Sequence, residues 1–336
     1  MQTLHVDENE AGQRLDKLLA KFLKNAGKGF LYKMMRKKNI TLNGKKCDGS
    51  ERLNLGDEVQ LYFSDETIEK FAGKEETLLQ EEGRKPSRLP FEIIYEDKHI
   101  LLVNKPAGML SQKAKEGDVS LNEHILNYLI DSGHLPASQL RTFRPSICNR
   151  LDRNTSGMVA AGLSLTGLQV MNGVFKDRSI HKYYQCLVKG EIRERCLVEG
   201  FLKKDEAANK VTIHSKEIRG SVPIATEYLP ISTNGSVTLL QVTLITGRSH
   251  QIRAHLASIG HPILGDFKYG DKALNNRIKQ SYQVQSQLLH SWKLMLPDKL
   301  SEPLSYLSGK IFYAPLPKAF LRVMEGEGLR EQATGS

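Results

Sequence analysis

The sequence predicts an α+β protein in two parts, a small basic N-terminal module with two helices and a larger domain rich in strands. Three observations predict this. Apolar residues recur at helical spacing between Arg14 and Lys38, amid a dense set of cations. From Ser64 to Pro90 the chain turns acidic and polar and has too few apolar residues to anchor a core. Beyond Phe91, alternating and β-rich runs outnumber helical segments. At 336 residues the chain is long enough for two or three domains, one with a large core.

The first helix is expected over Arg14 to Leu23, with Leu15, Leu18, Leu19, Phe22 and Leu23 on one face. A second runs from about Gly29 to Lys38, with Phe30, Leu31, Met34 and Met35 turned inward. The outer faces are left to Lys17, Lys33, Arg36, Lys37 and Lys38. Ile40 to Leu42 leads into Asn43-Gly44, a strong tight-turn signal, and Leu55 to Phe63 reads as a turn followed by a strand. Between Gln13 and Asp57, twelve Lys or Arg stand against four Asp or Glu, an excess of eight positive charges in a chain whose net charge is +10. Cations that displace counterions from phosphate supply most non-specific nucleic-acid affinity, so their concentration here points to an RNA- or DNA-binding module. An ordinary solvated basic face is the competing reading. Residues 64–90 are read as a linker, which lets the module and the next domain engage one large partner together.

The second domain opens with an alternating strand, Phe91 to Asp97, then a buried strand from Ile100 that ends in Lys105-Pro106-Ala107-Gly108. A helix is expected over Leu121 to Asp131, another over Thr166 to Lys176, and an alternating strand over Arg178 to Gly190. Hairpin-like segments continue to about Thr226. Leu239 to Ile245 is a β-run that passes through Thr246-Gly247 into a helix at Gln251, aiming Arg248 and the helix start at one pocket. Gln287 to Leu294 is a further β-run, with Trp292 assigned to the core. A last strand lies within Leu307 to Pro317, and a short helix reaches about Met324.

No run of about 18 apolar residues is present and the N-terminus lacks a basic-then-apolar leader, which predicts no membrane span and a cytoplasmic location. Cys47, Cys148, Cys186 and Cys196 form no C-x-x-C pair and are expected as reduced thiols. His250, His255 and His261 are five and six residues apart, off the i, i+4 spacing of a helical metal site, so no metal is expected.

The chemistry centres on Arg150-Leu151-Asp152-Arg153-Asn154-Thr155-Ser156-Gly157. A carboxylate between two guanidinium groups is favoured in its charged form, which suits a base or nucleophile. The apolar run Met158 to Leu163 would hold Asp152 on a rigid strand edge. A solvated surface salt-bridge cluster is an equal reading of these eight residues alone.

Arg-Leu-Asp-x-x-Thr-Ser-Gly resembles the catalytic motif of the Rlu-type pseudouridine synthases (the RluA family), in which the Asp is essential. Asn149 departs from the His that many members carry before the Arg. Lys105-Pro106-x-Gly108, the K-x-Y pattern ending at Tyr184, the string from Gly247-Arg248 to Gly265-Asp266, and Gln287 to Leu294 resemble further blocks of that family in the same order. Residues 12–63 resemble the S4 RNA-binding module, through R-L-D-K-L-L, N-G and G-D-x-V.

The resemblance implies a pseudouridine synthase fold over 91–325, with a large, mostly antiparallel mixed sheet flanked by helices and loops. It implies Asp152, Arg253 and Tyr184 as catalytic residues, Arg253 paired with Asp152 and the Tyr184 ring stacked on the target uracil. Arg150, Arg248 and Leu289 are implied as substrate-binding, Arg150 filling the space left by the extruded nucleotide. Lys17, Lys33, Arg36, Lys37 and Lys38 become the RNA-binding cations, and the RluC-like subgroup implies 23S rRNA or a large-subunit precursor as the partner of a monomer. No cofactor is expected, because the reaction is an isomerisation without net redox or group transfer. Whether Asp152 attacks C1′ or removes a ribose proton stays open. Two other classes remain: a non-catalytic S4-type RNA-binding or ribosome-assembly factor, for which Asn149 is the hint, and an S4-bearing rRNA methyltransferase. The latter needs a glycine-rich nucleotide pocket, which Lys105-Pro106-Ala107-Gly108 is not.

Overall fold

The computed structural model describes residues 1–72, 89–135 and 137–330. A small sheet at the N-terminus is built from β1 (Gln2–His5), β2 (Ile40–Leu42), β3 (Lys45–Lys46) and β4 (Glu58–Leu61), in the order β1-β4-β2-β3 and antiparallel throughout. On it lie α1 (Leu15–Phe22), α2 (Lys28–Arg36) and α3 (Asp65–Ala72). Leu15, Leu18, Leu19 and Phe22 of α1 are buried together with Leu31 and Met35 of α2 and with Val59 and Leu61, while Phe30 and Met34 pack at the margin. Asn43 and Gly44 both have positive φ, 51° and 71°, as a two-residue turn between right-twisted strands requires.

Two differences from the sequence reading stand out here. Strand β1 joins this sheet ahead of residue 12, in a stretch with no strong pattern of its own. The polar segment read as a linker begins with α3, which buries Ile68 and Ala72 on the module's core; the rest of it, 73–88, lies outside the described residues. Contacts between the module and the larger domain include three side-chain interactions. The Glu10 carboxylate accepts from Thr142 Oγ1 at 2.5 Å, Asn9 Oδ1 accepts from Leu165 N at 3.1 Å, and Arg141 lies 6.0 Å from the Phe22 ring centroid.

The larger domain contains β5 (Glu92–Glu96), β6 (Ile100–Lys105), α4 (Leu121–Asp131), β7 (Ser146–Ile147), β8 (Ser156–Gly162), α5 (Leu165–Lys176) and β9 (His181–Lys189). It continues with β10 (Cys196–Asp205), β11 (Lys210–His214), β12 (Val222–Thr233), β13 (Val237–Leu244) and α6 (Gln251–Ser258). The last elements are α7 (Lys272–Tyr282), β14 (Leu289–Met295), β15 (Ile311–Tyr313) and α8 (Lys318–Gly326). Its strands form an 11-stranded sheet ordered β11-β10-β12-β13-β9-β14-β8-β6-β5, with β15 on β14 and β7 on β8. Among the described residues only β8 and β14 pair in parallel.

Helices cover both faces of the sheet, so its central strands are apolar on both sides, and this is why Ile100 to Val103 and Met158 to Ala161 are continuous apolar runs and not alternating ones. Leu101, Val103, Val159 and Ala161 join one core, and Ile100, Leu102, Met158 and Ala160 join the opposite one, which is the two-residue period of a pleated strand. Helix α4 starts at Ser120, whose backbone N–H is accepted by the Glu123 carboxylate at 3.1 Å, one half of a capping box. Helix α7, in a segment the sequence reading left unassigned, is started by Asp271 accepting from Leu274 N at 2.9 Å. Trp292, assigned to the core, is only half buried and packs on Tyr313.

Candidate active site

Three adjacent central strands, β9, β14 and β8, set the geometry of the site. Asp152 sits in the loop that enters β8, Tyr184 on β9 and Leu289 on β14, while Arg253 belongs to the first turn of α6, which follows β13. All four side chains line one cavity of about 1130 Å³, and Arg150 and Arg248 line it too, both exposed at its rim.

The rest of the motif holds the Asp152 loop in place. Leu151 is fixed through its backbone: its carbonyl accepts from Ser111 Oγ at 2.8 Å, and its N–H donates to the same oxygen at 3.0 Å. Thr155 N donates to the Asp152 carbonyl at 3.1 Å, and Thr155 Oγ1 accepts from Gln287 Nε2 at 3.2 Å. Ser156 Oγ bonds His290 Nδ1 at 2.8 Å, and His290 Nε2 donates to the Ala314 carbonyl at 3.1 Å. The buried imidazole is therefore neutral, its pKa pushed down to about 4 by burial. Gly157 has φ +112°, and a Cβ there would collide with the Ser291 backbone on β14. Only glycine lets the parallel strands close at that point.

Asn149 has a structural task of its own. Its Oδ1 accepts from Ala160 N at 2.8 Å and its Nδ2 donates to Met158 O at 3.2 Å, pinning the approach to Asp152 against β8.

The counter-charge on Asp152 is not the one suggested by its chain neighbours. Arg150 and Arg153 are exposed and, among the described residues, make no ion pair with it. Adjacent side chains on an extended loop diverge, so chain proximity pointed to the wrong arginines, while the motif resemblance had named the right one. Instead Arg253, 7% exposed, donates from Nη1 to Asp152 Oδ2 at 2.8 Å. Its other edge is clasped by Asp266, 0% exposed, with Nε to Oδ2 at 2.7 Å and Nη2 to Oδ1 at 2.9 Å. Burial by itself would lower the Arg253 pKa, but hydrogen bonds and charge from Asp266, then Asp152, raise it well above the ordinary arginine value. Burial would likewise raise Asp266, and the Arg253 guanidinium carries it below the usual carboxylate range. Two carboxylates flank one guanidinium, so the buried chain carries a net negative charge that ends at Asp152. Among the described residues Asp152 Oδ1 has no hydrogen-bond partner, leaving that oxygen open to the cavity.

Tyr184 is buried at the cavity wall, its pKa raised to about 12 by burial and by the Asp152 charge. It is therefore a neutral phenol near pH 7, offering a ring and an O–H. His250, the residue before α6, has a left-handed backbone (φ 55°) and faces Asp152 Oδ2 from 3.9 Å through Nε2. Val211 N donates to Tyr269 Oη at 2.9 Å, and the same oxygen bonds His250 Nδ1, also at 2.9 Å. Burial lowers the His250 pKa in spite of the opposing Asp152 charge, which favours the neutral imidazole. Tyr269 also lies over Arg253, 5.1 Å from the guanidinium carbon to the ring centroid.

Lys105 is the other group that sequence reasoning missed. Its side chain is 0% exposed, and its Nζ donates to the carbonyls of Pro106 (3.0 Å), Met109 (2.8 Å) and Arg153 (3.1 Å), tying the Pro-Gly turn to the Asp152 loop. Burial lowers its pKa to about 7 against the attraction of Asp152. Lys105 and Asp266 both stood inside recognised blocks; the missing signal was their burial, which no local pattern encodes. The three histidines point three ways, His250 into the cavity, His255 to Thr226 Oγ1 (2.9 Å) and His261 to the Lys189 carbonyl (2.8 Å). Among the described residues no group of three or more His, Cys, Asp or Glu is placed to hold a metal ion. Lys17, Lys33, Arg36, Lys37 and Lys38 are all exposed on α1 and at and beyond the end of α2, and none lines the cavity.

A family model described as RNA pseudouridylate synthase matches residues 99–258. The chain is 33% identical over 278 residues to the ribosomal large subunit pseudouridine synthase C of Vibrio vulnificus, covering 81% of each chain. It is 30% identical over 309 residues to the protein of that name from Vibrio cholerae, covering 90% of each, and 28% identical over 287 residues to that of Escherichia coli, covering 82% of each. Among solved structures, human RNA pseudouridylate synthase domain containing 4 superposes with a TM-score of 0.58 at 20% identity, over 72% of this chain and 95% of that one. That likeness is one of fold.

Proposed function

The chain belongs to the RNA pseudouridylate synthase family, and we propose that it isomerises uridines of large-subunit (23S) ribosomal RNA, or of its precursor, with Asp152 as the catalytic carboxylate. The observation that carries this reading is the buried chain Asp266, Arg253, Asp152, which ends at an open oxygen in a cavity walled by Tyr184 and Leu289. The substrate class follows from the relatives, which are named as ribosomal large subunit enzymes.

Pseudouridine formation breaks the bond between ribose C1′ and uracil N1, turns the base, joins C1′ to C5, releases the C5 proton and leaves N1 protonated. The target must first leave the RNA stack, which costs a few kcal/mol; Arg150, exposed at the rim, fills the vacated position. Arg253 fixes Asp152 Oδ2, so Oδ1 is the oxygen presented to the sugar, whether it attacks C1′ or takes a ribose proton. A guanidinium that already has a second carboxylate cannot fully offset the negative charge of Asp152, whose free oxygen faces the sugar. The freed base is held between the Tyr184 ring and Leu289, and Arg248 meets the RNA backbone at the mouth. Enclosure matters because water reaching the detached sugar would hydrolyse it.

The small N-terminal sheet acts as an S4-like RNA-binding module, with Lys17, Lys33, Arg36, Lys37 and Lys38 on phosphates. Its place of action is the cytoplasm and its working form a monomer, in keeping with a ribosomal RNA substrate; among the described residues no helix is long and apolar enough to cross a membrane.

The test is tritium release from rRNA labelled at uridine C5, with the wild type against Asp152→Asn. Loss of release by the variant with RNA binding retained is expected. Equal release from both would reject Asp152 as the reacting group.

A further inference from the structure

Phe267 stands on the rim of the catalytic cavity with 54% of its surface exposed, and among the described residues no other aromatic ring packs on it. A lone exposed apolar side chain is ordinary on a protein surface, but this one is displayed by a loop fixed on both sides of it. Gly265 N donates to Asn275 Oδ1 (2.8 Å), and Asn275 Nδ2 donates to the Asp266 carbonyl (2.9 Å). Lys268 N and Tyr269 N donate to Asp266 Oδ1 (2.9 and 3.1 Å), and Gly270 N donates to the Asp266 carbonyl (2.7 Å). Asp266 is the same residue that clasps Arg253, so the ring is mounted one residue from the anchor of the catalytic pair. Arg248 and Lys268 line the cavity with it. An aromatic face beside cations is the composition of a surface that binds single-stranded nucleic acid.

Extrusion of a uridine strips its neighbours of a stacking partner, and an unstacked RNA base is readily taken by an aromatic side chain. We infer that Phe267 is a stacking platform for an unpaired base next to the extruded uridine, which makes the Gly265–Gly270 loop a subsite that selects the RNA around the target. This rests on the pseudouridine synthase reading above. The site takes a nucleobase face of any identity, because every base has a π-face, and its contribution is to RNA affinity and not to the bond changes at C1′.

The experiment has two arms that fail separately. In the first, tritium release from C5-labelled rRNA, extracted from cells lacking the protein, is measured for wild type, Phe267→Ala, Phe267→Leu and Phe267→Trp. Loss of one stacked base corresponds to a rise in KM of about 5- to 150-fold. That rise is expected for the Ala and Leu variants with kcat nearly unchanged, and Phe267→Trp should stay near wild type. Leu keeps apolar bulk without a π-face, so a Leu variant with wild-type KM, or an Ala variant that loses kcat at constant KM, overturns the inference. In the second arm, indole fluorescence of Phe267→Trp is followed as unlabelled rRNA is added, with the signal of the single native tryptophan subtracted from wild type. Quenching is expected, and its absence overturns stacking. No release from wild type would sink the functional reading, and the fluorescence arm would still decide the role of Phe267.

Discussion

Replacing Asp266 by Asn separates the residue that aims the catalytic carboxylate from the carboxylate itself. Asp266 is wholly buried and takes four donors, Arg253 Nε and Nη2 and the backbone N–H groups of Lys268 and Tyr269. An amide keeps the shape, one acceptor oxygen and no charge, and its NH2 then faces donors. Breaking one partner of a buried ion pair costs about 3–5 kcal/mol. Arg253 retains Asp152, so the lower end applies, about 3 kcal/mol. Freed on one edge, Arg253 no longer fixes Asp152 Oδ2, and a displacement of about 1 Å at a reacting group lowers kcat by about 100-fold.

Urea unfolding gives the first quantity and single-turnover tritium release the second. Asp152→Asn is the contrast: Asp152 is partly exposed and accepts one guanidinium N–H, so chemistry should stop with little loss of stability. The pH dependence has a definite sign. Arg253 holds the folded pKa of Asp266 below the unfolded value, about 3.9, so its contribution is present at neutral pH and is lost as pH falls through the folded value. The stability gap between wild type and Asp266→Asn should therefore narrow in acid. An Asn variant with wild-type unfolding midpoint and wild-type kcat would refute the anchoring role.

Two further outcomes are expected. The folded pKa of Lys105, about 7, lies below its unfolded value, so the unfolded chain binds more protons between these values and stability should rise with pH from about 7 to 10. Lys105→Met should flatten that rise and leave three carbonyls without their donor at about 1–3 kcal/mol; an unaltered slope in urea unfolding across this range counts against it. Changing Lys17, Lys33, Arg36, Lys37 and Lys38 together to Ala should reduce the slope of log affinity against log salt for rRNA, by about 0.7–0.9 per lost phosphate contact. Equal slopes would remove these cations from the RNA interface.

Local patterns carried a large part of this molecule. The span of α4 was legible as a helix over Leu121 to Asp131, the β2-β3 turn from Asn43-Gly44, and the burial of β6 and β8 from unbroken apolar runs. Motif order was enough to name the family and to single out Asp152, Tyr184 and Arg253. Strand β1 was not legible, since four residues at a sheet edge, none fully buried, leave little pattern. Nor was α7, which buries only Asn275 and Ile278.

What the sequence by itself determined is everything with a short period: which face of each element is apolar, where turns must fall, and which residue types recur in a recognisable order. The pairing of Arg253 with Asp152 was implied by motif resemblance, but its geometry and the Asp266 clasp behind it were decided only by the tertiary structure. Asp152 meets its counter-charge 101 residues away, because sheet order brings β8 and α6 to one cavity, while the arginines beside it in the chain point to solvent. The burial of Asp266 and Lys105 has the same origin. Charge pairing depends on distance and dielectric, and both are set by how distant segments pack.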